Sequence, residues 1–166
     1  MRKLIILASA CLLSFSGYAL NYVVVSNDTK VYDQPSVKGY VTLNGENAEL
    51  MVRGGMAFKC REIKNGWAQI EYVPGISGFI MESQIDTNPT LPSPGTYKLA
   101  NGDSSFEISL SGDKWSLKGN GTELSGVVEG NVVVFNDRFG NPLYTLVKTA
   151  KGTFLFDYSP ELTKFI

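Results

Sequence analysis

Apolar and polar residues in this chain alternate in steps of two over short runs. Beyond the N-terminus they almost never recur at the three-to-four spacing of an amphipathic helix. Phe106, Ile108 and Leu110 fall on one face of an extended segment, with Glu107 and Ser109 on the other. Gly, Asn and Asp interrupt such runs at close intervals, which is the pattern of an all-β protein. In the first half the predicted strands are Tyr22–Val25, Lys30–Tyr32, Ala57–Ile63, Trp67–Tyr72 and Gly78–Ile80. In the second half they are Gly95–Leu99, Ser105–Leu110, Lys114–Lys118, Glu123–Val128, Asn131–Phe135, Leu143–Val147 and Thr153–Tyr158. Lys64-Asn65-Gly66 closes a hairpin, because Asn-Gly supplies the positive φ angles of a tight turn. Connections as short as Ser111-Gly112-Asp113 and Gly119-Asn120-Gly121 join only antiparallel neighbours, so an up-and-down meander is expected over the second half. A sheet of that many strands curls on itself and hides its edges, giving a small barrel.

Two segments lack this pattern. The stretch from Asp33 to Gly55, with Pro35, Gly39, Gly45 and the pair Gly54-Gly55, is predicted as one long connection. DTNPTLPSPG, residues 86–95, holds three prolines, each fixing φ and removing a donor, and is predicted as a semi-rigid linker over 87–94. The organisation expected is therefore residues 1–19 as a leader, 20–86 as one unit and 95–166 as a second. Units this small bury only about 60% of their unfolded surface. The two are expected to pack on each other.

The leader changes what counts as mature protein. MRKLIILASACLLSFSGYA opens with Arg2 and Lys3, continues with an apolar run and exits through Gly17-Tyr18-Ala19, the layout of a secretory signal peptide cleaved after Ala19. Its apolar run is short and broken by Ser, unlike a membrane span of about 20 apolar residues. Lipidation at Cys11 is the rival reading, and it lacks the leucine expected three residues earlier, where Ala8 stands. The expected location is the periplasm or the extracellular space, with no transmembrane segment in the mature chain. The charge balance, 15 Lys+Arg against 16 Asp+Glu, turns mildly more acidic once Arg2 and Lys3 are removed. It gives no clustered basic face for a nucleic-acid partner.

Residues 30–85 resemble the bacterial SH3 domain family. VYDQPS, 31–36, stands where that family has a valine-containing strand leading into a Pro-Ser turn. NGW, 65–67, matches its Asn-Gly-Trp hairpin, and GISGFI, 75–80, resembles its Gly-x-Thr-Gly-Trp-Val closing strand, with GFIMESQI as the exit. Tyr32 replaces the usual arginine, Phe79 the usual closing tryptophan, and GYVTLNGENAELMVRGG, 39–55, is longer than the family's connection. On this resemblance Gly66 and Gly78 each turn the backbone into a strand, and Trp67 and Phe79 each close one side of an SH3-like barrel.

The resemblance implies recognition of cell-wall peptide or glycan. The candidate ligand-binding residues are Tyr32, Tyr40 and Tyr72, each an aromatic face with a hydroxyl, together with Trp67 and Phe79. Asp33 and Glu46 are candidates to pair with an amine on a peptide stem. The second half loosely resembles lipocalin-like small β-barrels through GTYKL and its repeated hairpins. Such barrels hold either a packed core or an apolar ligand, and Trp115, Phe135, Phe154 and Phe156 are the candidates to line the interior.

The chain contains no histidine, which removes Ser-His-Asp and Cys-His catalysis and every His-containing zinc site. With Cys11 in the leader, Cys60 stands alone in an alternating strand and reads as a small buried hydrophobe without a disulfide partner. Glu107, Asp113, Glu123, Glu129 and Asp137 sit at turns and strand surfaces rather than at the spacing of a calcium loop or a catalytic pair. GNGTELSG, 119–126, joins two strands instead of opening a helix, so it is no phosphate cradle. No cofactor is expected. The reading is an exported, noncatalytic binding protein, with an envelope protein–protein adaptor and a carrier of a small apolar ligand as alternatives.

Overall fold

The computed structural model of the chain describes residues 22–166; the predicted signal peptide and Cys11 lie outside the described residues. Among these the protein is all-β, without an α-helix, and a single 3₁₀ turn occupies Glu82–Gln84. The first half contributes β1 (Tyr22–Val25), β2 (Thr29–Val31), β3 (Val41–Leu43), β4 (Glu46–Val52), β5 (Ala57–Lys64), β6 (Trp67–Val73), β7 (Ile76–Met81) and β8 (Ile85–Asp86). The second contributes β9 (Gly95–Lys98), β10 (Ser105–Ser111), β11 (Lys114–Gly119), β12 (Thr122–Glu129), β13 (Val132–Asn136), β14 (Pro142–Thr149), β15 (Gly152–Asp157) and β16 (Glu161–Phe165).

The segment expected as one long connection, Asp33 to Gly55, instead holds β3 and β4. Asn44 and Gly45 both take positive φ, 53° and 83°, and fold this stretch into a hairpin with the same turn as Asn65-Gly66. Ala48, Leu50 and Val52 then point into the core while Asn47, Glu49 and Met51 point out, an alternation that makes β4 the centre of a sheet ordered β16-β4-β2, with β3 also on β4. A second sheet runs β7-β6-β5-β1-β8. The two meet where Tyr32 and Phe79 exchange backbone hydrogen bonds of 2.9 and 2.8 Å, and they enclose one core around Val25, Leu50, Phe58, Ile70, Tyr72 and Ile80.

From β9 to β15 the chain forms a seven-stranded meander in sequence order, nearly closed into a barrel. Seven is odd, so the first and last strands run parallel where they meet. The closing contact is accordingly a parallel bridge between Leu99 and Leu155, with Ala100 N–H donating to the Leu155 carbonyl at 2.7 Å. Inside, Phe106, Ile108, Trp115, Leu117, Val133, Phe135, Leu146 and Leu155 fill the interior as a packed core. Phe154 and Phe156, expected to line that interior, face the other way and pack into the core of the first half. Period two explains this: Leu155 between them points inward, so its neighbours point outward.

β13 shows why the halves are not independent. It reads Val-Val-Val-Phe with all four residues buried, whereas β10 alternates. A strand covered on both faces has no reason to alternate. Val133 and Phe135 face the barrel interior, while Val132 and Val134 meet Val24 of β1 and Ala57 of β5. The proline-rich segment does not swing free of this arrangement. Thr90 N–H donates to the Lys148 carbonyl at 2.9 Å and Asn131 Nδ2 to the Pro89 carbonyl at 2.8 Å, strapping it along the barrel. Finally the chain crosses back, and β16 adds to β4 with Glu161 opposite Met51 and Phe165 opposite Ala48.

Candidate functional site

The outer face of the β5–β6–β7 sheet carries a cleft, and a backbone irregularity creates it. Phe58 and Cys60 point into the core, so strict alternation would send residue 62 inward as well. A bulge between Cys60 and Glu62 inserts Arg61 into β5 and shifts the register by one. Ile63 now lies opposite buried Ala68, and Glu62 and Lys64 lie opposite Gln69 and Trp67 on the outer face. Phe79 of β7 lies opposite Gln69 on the same face. With Pro35 from the β2–β3 loop as one wall and Asn65 of the hairpin turn at the end, these residues line an open cleft of about 240 Å³.

The aromatic floor is held from behind. The Tyr32 ring meets the Trp67 ring edge-to-face, 5.6 Å between centroids and 89° between planes, a favoured geometry because the positive ring edge points at the negative face. Tyr32 is tied to Phe79 by the backbone pair described above, so the three aromatics form one connected unit. The two Gly-aromatic steps serve different ends. Gly66 has φ +80° and closes the β5–β6 turn before Trp67. Gly78 is not a turn residue: it lies inside β7, where a Cβ would sit 2.5 Å from Val31 Cγ1 and 3.0 Å from the Tyr32 carbonyl. That glycine lets β2 come close enough to β7 for Tyr32 to reach its place. The expectation that both glycines turn the backbone is corrected in this respect.

Of the seven residues predicted for ligand contact, Trp67 and Phe79 line the cleft and Tyr32 supports it. Tyr72 does not belong. It is only 2% exposed and packs in the first core, and burial pushes its hydroxyl above the ordinary tyrosine range. The reason is its facing in β6: Ala68 and Ile70 are core residues, and Tyr72 shares their face. Tyr40, 43% exposed, Asp33 and Glu46 are surface residues outside the cleft lining. Glu46 stands at the tip of the β3–β4 hairpin, opposite Leu43 across the Asn44-Gly45 turn. The polar residues of the cleft, Glu62, Lys64, Asn65 and Gln69, were not predicted. Asn65 is turn chemistry in the sequence, Gln69 follows Trp67 by alternation along β6, and Glu62 and Lys64 need the Arg61 bulge to be known before their facing follows.

Cys60 is buried, its thiol pushed upward by burial and placed 3.4 Å from the Glu62 carbonyl, so it is an inert part of the core. No group of three or more metal-ligating side chains gathers among the described residues, and no helix there is long and apolar enough to cross a membrane. The cleft can stack a flat or aliphatic surface on Trp67 and Phe79 and offer amide and charged groups at its edge. Compared with family models, curated proteins and solved structures, the chain gives no match.

Proposed function

We propose that the protein is an exported, noncatalytic binding protein whose first half recognises cell-wall peptide or glycan in the cleft over Trp67 and Phe79. The observation that carries this reading is the partly exposed aromatic pair with a proline wall and an amide-rich edge, braced by Tyr32. Sugars and peptide stems present alternating apolar and hydrogen-bonding surface, which such a site matches with few ordered groups. The leader predicted over residues 1–19 and the three ordered motifs that resemble bacterial SH3 domains support the same reading. The chain lacks histidine and the buried Cys60 thiol is unactivated, in keeping with binding rather than turnover.

Cosedimentation with purified peptidoglycan sacculi tests the proposal. The protein is expected in the pellet, and Trp67→Ala in the supernatant with an unchanged circular dichroism spectrum. Equal recovery of wild type with and without sacculi overturns it.

A further inference from the structure

The cleft reads more finely than a general aromatic site. Seen from outside, residues facing each other across the ladders form a small grid. One row runs Glu62, Gln69, Phe79 and the next Lys64, Trp67, Met81. Neighbouring strands lie about 4.8 Å apart and alternate residues of one strand about 7 Å apart. The aromatic surface therefore lies on β6 and on β7 at the edge of the sheet, while β5 beside them carries one acid and one base about 7 Å apart. Among the described residues, neither Glu62 nor Lys64 forms an ion pair, with the other or with any third side chain. Of the neighbouring charges, Arg61 is taken by Glu71, with Nη2 3.4 Å from Oε2. Two opposite charges thus stand side by side at the mouth of an aromatic cleft without neutralising each other.

Resting on the proposed binding function, we infer that the cleft selects a zwitterionic peptide segment over a neutral glycan. The ligand's apolar portion lies on Trp67 and Phe79, with an ammonium at Glu62 and a carboxylate at Lys64, and Gln69 and Asn65 hydrogen-bond its backbone amides. A neutral sugar would use the aromatic floor and leave both charges idle. A purely anionic or cationic ligand would satisfy one charge and be repelled by the other. The charges are exposed, so each contributes selectivity and salt dependence more than raw affinity.

The test uses the purified protein and the tetrapeptide Ac-Ala-Ala-Lys-Ala, which has one ammonium and one free carboxylate. Its controls are the peptide with acetylated lysine, the peptide with amidated C-terminus, and tetra-N-acetylchitotetraose. Binding is followed by NMR shifts of the Trp67 indole and the Asn65 and Gln69 side-chain amides. The free peptide is expected to bind best, with each chemical block weakening it about two- to fivefold, the range of an exposed ion pair. Glu62→Gln should match the loss on acetylation and add nothing to it, and Lys64→Gln should do the same for amidation. The advantage should shrink as salt rises.

Sacculus cosedimentation runs alongside and separates the two ideas. If wild type pellets with sacculi but the blocked peptides and the chitotetraose bind as well as the free peptide, the zwitterion inference falls and the wall-binding reading stands. If the charge-dependent peptide binding is present without pelleting, the inference stands and the wall reading falls. Absence of peptide binding, whatever the sacculi do, also overturns the inference.

Discussion

The Tyr158 hydroxyl donates a 2.7 Å hydrogen bond to the backbone carbonyl of Glu71, a link between the last strands of the second half and the middle of the first. The same oxygen accepts from Lys59 N–H at 3.0 Å. Lys59 and Glu71 face each other in the β5–β6 ladder, so one phenol satisfies backbone groups on both strands of the sheet that carries the cleft. Its ring is wedged between Phe58 and Tyr22, with centroids 5.2 and 6.3 Å away. The cleft's scaffold is therefore completed by a residue from the other half.

Removing only that hydroxyl leaves a buried donor and a buried acceptor without their partner. Tyr158→Phe is expected to cost about 1–3 kcal/mol, the penalty for unsatisfied buried polar groups. Thermal melts followed by near-ultraviolet signals of both halves should shift together, because Phe156 and Tyr158 of the second half are part of the core of the first. Two separate transitions, with only one moved, would show that the halves fold independently.

Alkaline pH should act on the same region. Burial raises the phenols of Tyr22 and Tyr158 far above the ordinary value of 10.0. A group that holds its proton more tightly when folded stabilises fully below its unfolded pKa, and that contribution is lost as pH rises toward the folded value. Stability should hold to about pH 10 and fall beyond it. In urea titrations, Tyr158→Phe should start lower and decline less steeply above that point.

An acid-side test concerns Glu49. Its carboxylate accepts from Lys30 Nζ at 2.8 Å and lies 3.7 Å from Lys164 Nζ, joining β2, β4 and β16 across the outer face of the sheet. The hydrogen bond from Lys30, foremost, holds its pKa below the ordinary 4.5. A depressed acid stabilises above its unfolded pKa and ceases to do so as pH falls through the folded value. Glu49→Gln should lower Tm near neutrality, and the gap from wild type should close below about pH 4. A gap that persists in acid would show that the loss comes from packing instead.

The barrel interior offers a packing test. A Cβ at Gly126 would sit 2.8 Å from Phe135 Cε1 and 2.9 Å from Trp115 Cβ, closer than these groups tolerate. Gly126→Ala is expected to cost about 1–3 kcal/mol through overpacking. A neutral effect in a denaturant melt would mean that the interior has room to rearrange.

Tyr32 tests the bracing of the cleft. An edge-to-face aromatic pair is worth about 0.5–1.5 kcal/mol beyond its buried area. Tyr32→Ala should free the Trp67 ring and weaken sacculus binding, while Tyr32→Phe, which keeps the ring edge, should retain it. Equal binding by both variants would place the recognition elsewhere.

Much of the architecture was legible because local chemistry dictates it. Three Asn-Gly pairs, at 44, 65 and 120, take the paired positive φ angles that two-residue hairpins demand. The Asn44-Gly45 pair was as plain as the other two, and Ala48, Leu50 and Val52 supplied the alternation behind it. The strand before it is hard to recognise because β3 has only three residues. A fourth pair, Asn101-Gly102, goes another way: Asn101 Oδ1 accepts from Asp157 N–H at 3.1 Å, so its side chain serves barrel closure. The β16 strand left no signal. All five of its residues are exposed, so nothing forces its side chains to alternate, and its partner β4 lies far back in the chain.

What the sequence determined by itself was the all-β class, the meander from β9 to β15 and the aromatic pair Trp67 and Phe79. Each follows from period-two patterning and turn geometry within a few residues. Tertiary structure alone decided that Tyr72 is core, that Glu62 and Lys64 share the cleft with that pair, and that Phe154, Phe156 and Tyr158 serve the opposite half. The physical reason is that a bulge flips facing without a composition signal, and that which side of a strand is buried depends on what distant chain arrives to cover it.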